Sequence, residues 1–324
     1  MFCVDCQSHF FPKSYAEVIK KNRGFVQAQN DGENCIISYG NLQKFKLNFE
    51  KYDPEKKIRD MDSSKIDVSV LSINIPGPEL LAPELGIEGA RICNDYVAEL
   101  CERYRGRFVG LAVLPLQDIP SALEEFDRAI SQLKLRGFVL YSHINGKPVD
   151  SPELEPVYKK AEELKVPVVL HPTIPVWGEV IKEYSMIPML GLMVDTSIAM
   201  LRLILSGILE RYPNLLVVHP HCGGVLPYLM PRIQEQTEVK KRGREYIKKA
   251  PMEYYKKVYI DLVSPSTLAM QYVYDFFGSD NLLFATDHPW VRVEMIKKCL
   301  DNLKIPSEEK AHILGLNACK LFKI

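Results

Sequence analysis

Eight short apolar runs, each followed by a longer stretch, constrain this chain more than any other feature. The runs are Phe2–Cys6, Asp67–Ile73, Phe108–Leu114, Gly137–Tyr141, Val166–Leu170, Leu215–His219, Val258–Leu262 and Leu282–Ala285. They are rich in Val, Leu and Ile with little polar alternation, the pattern of parallel strands covered on both faces. The stretches Pro54–Met61, Ile87–Tyr104, Ile119–Leu133, Pro152–Leu164, Asp195–Arg211, Val225–Val239, Pro265–Phe277 and Val291–Leu303 place apolar residues at helical spacing. Ser151 before Pro152 predicts an N-cap, Gly278 predicts a stop after Phe277, and Ser307–Phe322 predicts a closing helix. Successive βα units predict an α/β fold: a single (β/α)8 TIM barrel spanning residues 1–324. An open doubly wound sheet is the alternative, but no Gly-rich fingerprint follows any strand.

One segment breaks the rhythm. About 40 residues, 13–52, separate the first strand from its helix. Within them Asp31-Gly32 lies between FVQAQ and CIIS and predicts a hairpin. In a barrel this insertion emerges at the C-terminal face, as a lid over the site or as mere decoration.

Composition narrows the class of function. Hydrophobic residues make up 47% of the chain, enough for a closed core, which excludes disorder. The 41 basic and 41 acidic residues cancel, which argues against nucleic-acid or membrane-surface binding and favours a small-molecule partner. Met1–Pro12 lacks a basic lead and an apolar run, so no signal peptide is expected there. The most apolar window, Met186–Gly207, contains Pro188, Asp195 and Arg202 and is not expected to span a bilayer. Eight scattered cysteines, with one CxxC pair at Cys3 and Cys6, read as reduced thiols of a cytoplasmic protein.

A barrel presents its working residues at the C-terminal strand ends. His9, His143, His171, His219, His221 and His288 all follow or end predicted strands, and only His312 lies elsewhere. Imidazoles and carboxylates converging on one rim suit a divalent metal. Gln7 and His9, two residues apart, point the same way, while His171 and Asp287 arrive from strands five and eight. His221 is then placed for proton transfer. The bland alternative for each is a strand end with a satisfied side chain. Cys222 beside His221 faces away from it, and Asp261, inside strand seven, reads as structural.

The motifs VDCQSHFFP, IRDMDSSKIDVSVLS, LEPVYKKAEELKVPVVLHP, SGILERYPNLLVVHPHCGGVLPY, LLFATDHPW and HILGLNACKLF, taken together, resemble the amidohydrolase superfamily. The similarity is greatest to its amidohydrolase-related branch, which includes amino-carboxymuconate-semialdehyde and resorcylate-type decarboxylases. It runs nearly end to end. It implies that His9, His171 and Asp287 are metal ligands and that His221 is the catalytic histidine, with Asp287 also relaying a proton. Gln7 stands where many members carry a histidine. One divalent metal is implied: Zn²⁺ first, with the amide oxygen of Gln7 shifting preference toward Mn²⁺ or Mg²⁺. The resemblance also implies a homodimer.

The family member named first uses an arginine in the insertion to hold a carboxylate. The corresponding LQKFKLNF offers only Lys44 and Lys46, point charges that cannot clamp bidentately. His143 and Trp177 are further candidates for contact with substrate. The expected activity is a metal-dependent, non-oxidative carboxy-lyase acting on a small unsaturated or aromatic carboxylic acid. Hydrolysis of an amide, ester or lactone by the same shell is the alternative, and a ligand-binding barrel that lost its metal is a third.

Overall fold

The computed structural model describes residues 1–324. From the N-terminus, β1 (Val4–Phe10) leads into α1 (Lys13–Lys21) and an antiparallel sheet of β2 (Val26–Asp31), β3 (Asn34–Tyr39) and β4 (Gln43–Leu47). There follow α2 (Pro54–Ser63), β5 (Val68–Ile73), α3 (Pro83–Arg103), β6 (Phe108–Gly110), α4 (Ile119–Asp127) and β7 (Phe138–Tyr141). A small hairpin of β8 (His143–Ile144) and β9 (Lys147–Pro148) precedes α5 (Glu155–Leu164) and β10 (Val168–His171). Next come α6 (Leu192–Leu205), α7 (Ile208–Arg211), β11 (Val217–His219), α8 (Leu226–Gln234), α9 (Pro251–Tyr255) and β12 (Tyr259–Asp261). The chain ends with α10 (Thr267–Phe277), β13 (Leu282–Leu283), α11 (Val293–Asp301), α12 (Ser307–Ala311) and α13 (Asn317–Phe322).

The expected parallel strands are present, in two sheets. One has the order β1-β5-β6 and the other β13-β12-β11-β10-β7. Isolated parallel bridges tie their edges: Ala112 to Phe138 on one side, Ser8 to His288 on the other. Nearly every residue of these strands is buried, which explains their unalternating apolar sequence. β1 runs further than expected, through His9 to Phe10, and carries a register shift between Asp5 and Ser8.

Helix starts follow local chemistry. Asp53 accepts from the Glu55 and Lys56 amides, Asp118 from Ser121, and the Ser266 hydroxyl from Ala269. Ser151 is a correction: its hydroxyl donates to the Pro148 carbonyl and caps nothing, and a short 3₁₀ turn precedes α5. The apolar stretch Glu183–Leu205 has the length and hydropathy to cross a membrane, but half of its most apolar window is buried within the protein.

The insertion is more ordered than expected. It adds α1 and a third strand to the predicted hairpin, whose tight turn places Gly32 at φ +61°. Along its strands Ala28, Cys35, Ile37, Tyr39 and Leu47 are buried, while Lys44 and Lys46 are exposed. Phe45 makes an edge contact with Trp290 at 5.9 Å, and Leu42 packs against Gly178. The inner face therefore spans from the end of the chain's last strand to the loop after β10.

A polar network seals the β1–β13 edge. Asp5, 1% exposed, accepts from Thr286 N at 2.9 Å, Thr286 Oγ1 at 2.7 Å and Gln7 N at 3.3 Å. The buried Lys57 places Nζ 3.0 Å from His288 Nδ1, and His288 Nε2 lies 3.0 Å from Asp60 Oδ2. Burial pushes Lys57 down to about 8 against the opposing pull of Asp5, Asp60 and Asp287. Burial and the Lys57 charge push His288 down to about 3, so the ring is neutral, accepting from Lys57 and donating to Asp60. Asp5→Ala removes the centre of this network and is expected to cost roughly 3–5 kcal/mol. Urea unfolding measures it as a fall in the midpoint.

Candidate active site and metal centre

The C-terminal ends of β1, β10 and β11 and the segment after β13 meet at one place. His9 Nε2 lies 3.0 Å from Asp287 Oδ1 and 3.3 Å from His171 Nε2. Nitrogen and oxygen donors of His9, His171 and Asp287 all fall within 4.8 Å of one another. Gln7 Nε2 is 3.4 Å from Asp287 Oδ1, and its Oε1 is buried with no partner. His221 Nε2 lies 3.7 Å from Asp287 Oδ2. Gln7, His9, His171, His221 and Asp287, expected to converge from the sequence, are brought together.

Supporting contacts set the tautomers. His171 Nδ1 lies 2.8 Å from the Pro172 carbonyl, which can only accept, so Nδ1 carries the proton and Nε2 presents its lone pair. Ser72 Oγ holds His9 Nδ1 at 2.9 Å, across the register pair that joins β1 to β5. Burial, then the neighbouring His9, push His171 down to about 3, keeping the ring neutral. For Asp287 burial alone favours the protonated acid, but His221 and His9 outweigh it and hold the carboxyl well below its usual range. His221 is raised for the reciprocal reason: the Asp287 carboxylate outweighs its burial.

Two imidazole nitrogens and a carboxylate, with an orphaned amide oxygen beside them, fit a divalent cation. The residues present therefore suit the group that the sequence implies.

His221 is held by its backbone. Its amide donates to Asp261 Oδ1 at 2.7 Å, so the structural role expected of Asp261 is to anchor this corner. His221, Cys222, Gly223 and Gly224 all have positive φ. A β-carbon at Gly224 would meet Ser197 Oγ at 2.4 Å and the Met193 carbonyl at 2.6 Å. Cys222 is buried, with its thiol pushed well above the usual range by burial first and Asp261 second, which suits no nucleophile. His219 bonds Tyr255 through Nδ1 at 2.9 Å.

The expected substrate contacts fare differently. Lys44 and Lys46 are not brought to the cluster. Strand alternation sends them to the face opposite Phe45, where Lys46 pairs with Asp31 at 2.8 Å. His143 uses both nitrogens, Nε2 at the Ile174 carbonyl and Nδ1 at the Gly146 amide, and so braces the β8–β9 hairpin. Trp177 Nε1 donates to Asp195 Oδ1, whose other oxygen receives the Ser142 hydroxyl.

Further residues also surround the site. Tyr141 lies edge-on to His171 with centroids 5.6 Å apart. Trp290 donates to Asn74 Oδ1, and Asn74 to the Tyr52 hydroxyl. Lys57 had a signal: it lies four residues before Met61 on the buried face of α2.

Residues 4–324 match the amidohydrolase family, and the chain belongs to it. Over 97% of its length it is 26% identical to a 2-amino-3-carboxymuconate-6-semialdehyde decarboxylase of Dictyostelium discoideum, covering 90% of that protein. A gamma-resorcylate decarboxylase of a Rhizobium species is 29% identical over 83% of this chain and 87% of its own. The crystal structure of a Polaromonas dihydroxybenzoic acid decarboxylase with bound manganese and 2-nitroresorcinol superposes with a TM-score of 0.84 at 25% identity, covering 99% of this chain and 97% of that one.

The geometry at Gly224 gives a direct test. Gly224→Ala is expected to destabilise the fold by roughly 1–3 kcal/mol, because backbone and a buried hydroxyl must yield. Chemical denaturation reads the loss, and the displaced His221 lowers turnover as well.

Proposed function

We propose that this protein is a metal-dependent, non-oxidative decarboxylase of a small aromatic or unsaturated carboxylic acid. The observation that carries this reading is the convergence of His9, His171, Asp287 and His221 around the unpartnered Gln7 oxygen. The two tied parallel sheets support a single (β/α)8 barrel over residues 1–324, with 13–52 as a lid whose inner face covers the mouth.

His9, His171 and Asp287 would hold one divalent ion, with Gln7 Oε1 as a fourth donor. Zinc suits the imidazoles, but the oxygen donors favour Mn²⁺, the ion in the Polaromonas relative. Held by these residues, a divalent ion would supply Lewis-acid polarisation of a substrate oxygen. His221 Nε2, 3.7 Å from the Asp287 carboxylate that favours its charged form, would deliver its proton to the carbon that loses carbon dioxide, with Asp287 relaying the replacement. The bond electrons stay on that carbon and form its new C–H bond, so no oxidant is needed. Buried side chains around the cluster exclude bulk water and strengthen each of these interactions.

Val176, Val180, Tyr184, Met189 and Leu190 are exposed around the loops that follow β10. Such a patch supports a homodimer, as does its position beside the mouth. The eight free thiols support a cytoplasmic location.

Elemental analysis and carbon dioxide release on salicylate-type acids test the enzymatic reading. About one Mn²⁺ or Zn²⁺ per chain and carbon dioxide as product are expected. His171→Ala should lose the metal, whereas His221→Ala should keep it and turn over roughly 10²–10⁴-fold more slowly. Absence of metal under every loading condition would overturn the reading. For assembly, light scattering should give a dimer for the native chain and a monomer for Met189→Glu.

A further inference from the structure

The peptide bond between Pro172 and Thr173 is held from both sides. Its carbonyl accepts from His171 Nδ1 at 2.8 Å, and its N–H donates to Ser142 Oγ at 3.2 Å. Strand pairing brings Ser142 there. β7 and β10 run side by side with Tyr141 opposite His171, and the Ser142 amide donates to the His171 carbonyl at 3.0 Å. The Ser142 hydroxyl already accepts from Thr173, so it sends its own hydrogen to Asp195 Oδ2, the one acceptor it reaches.

Asp195 is buried and comes from α6. Its other oxygen receives the Trp177 indole N–H at 3.1 Å, which fixes the plane of the carboxyl group. Burial raises the acid, while the Ser142 bond, the neighbouring His143 and the Trp177 bond all pull toward the carboxylate.

Three hydrogen bonds and one peptide unit thus form a chain from His171 to Asp195, every donor facing the same way. Bonds aligned in this manner polarise one another in a buried setting. A metal-ligating imidazole whose second nitrogen donates toward a carboxylate is fixed in orientation and is a more basic ligand. Building on the metal-dependent reading, we propose that Asp195 is a positioning residue for the metal centre, acting on His171 through Ser142 and the 172–173 peptide. The chain keeps the proton on His171 Nδ1 and turns Nε2 toward His9 and Asp287. It gives the usual partnership of histidine and carboxylate a longer path, with a hydroxyl and a peptide group between the two.

Titration calorimetry of the metal-free full chain with Mn²⁺, and in parallel with Zn²⁺, tests this. Asp195→Asn keeps the shape and loses the charge, and Ser142→Ala breaks the chain at its middle. Each should weaken binding of the ion that the native chain prefers by roughly tenfold. The double variant should lose about the same factor, because both changes cut one chain. Thermal melting of the metal-free variants separates this from packing. A role in packing alone would lower the melting temperature, leave the affinity of the folded protein unchanged and overturn the proposal. Losses that multiply in the double variant would overturn it as well. If Asp195→Asn does not fold, the affinity of Ser142→Ala decides by itself. A native chain that binds neither ion would overturn the metal-dependent reading, and the relay with it.

Discussion

The structure depends on one seam, where the first strand meets the last. Asp5 is the pin. It accepts from both the amide and hydroxyl of Thr286 and from the Gln7 amide, deep in the protein. With the Ser8–His288 bridge, these bonds set the register between two segments 280 residues apart. Strand side chains alternate, so a slip of one residue would turn His9 away from Asp287. The convergence of His9, His171 and Asp287 is thus a consequence of the register that Asp5 enforces. The neighbouring Lys57 adds a buried positive charge, which Asp5, Asp60 and Asp287 all feel.

Function then sits at corners where the backbone leaves ordinary geometry. His221, Cys222 and Asp287 all have φ near +57°, uncommon for residues with side chains. In each case the surroundings over-determine the conformation. The Asp261 carboxylate receives the His221 amide, and Asp287 N donates to the Gln7 carbonyl. These backbone bonds help to hold His221 and Asp287 face to face. Pre-organisation of this kind would spare the proposed reaction the cost of assembling its proton-transfer pair.

Much of this was legible in the sequence because it follows from periodicity. Parallel strands buried on both faces leave unbroken Val, Leu and Ile runs, and a histidine at the end of such a run stands out. His9, His171, His221 and Asp287 were found in this way. What was missed lies where local signals are weak. Ser72 and Asn74 are ordinary polar residues at a strand end, and only the β1–β5 register reveals that Ser72 meets His9. The third strand of the insertion carries alternating lysines, which drew attention to its outer face. Its inward face is Gln43 and Phe45, and nothing in QKFKL says which parity looks inward.

That parity changes the chemistry the mouth can perform. A roof presenting Lys44 and Lys46 would place two cations over the metal site and attract a second carboxylate. The actual roof presents Phe45 against Trp290, with Tyr39 and Gln43 alongside, and turns both lysines toward solvent. An uncharged, largely apolar roof lowers the local dielectric and so strengthens the pull of the site on a single departing carboxylate. The same alternation that hides apolar residues beneath the sheet therefore keeps Lys44 and Lys46 away from the His9–His171–Asp287 cluster.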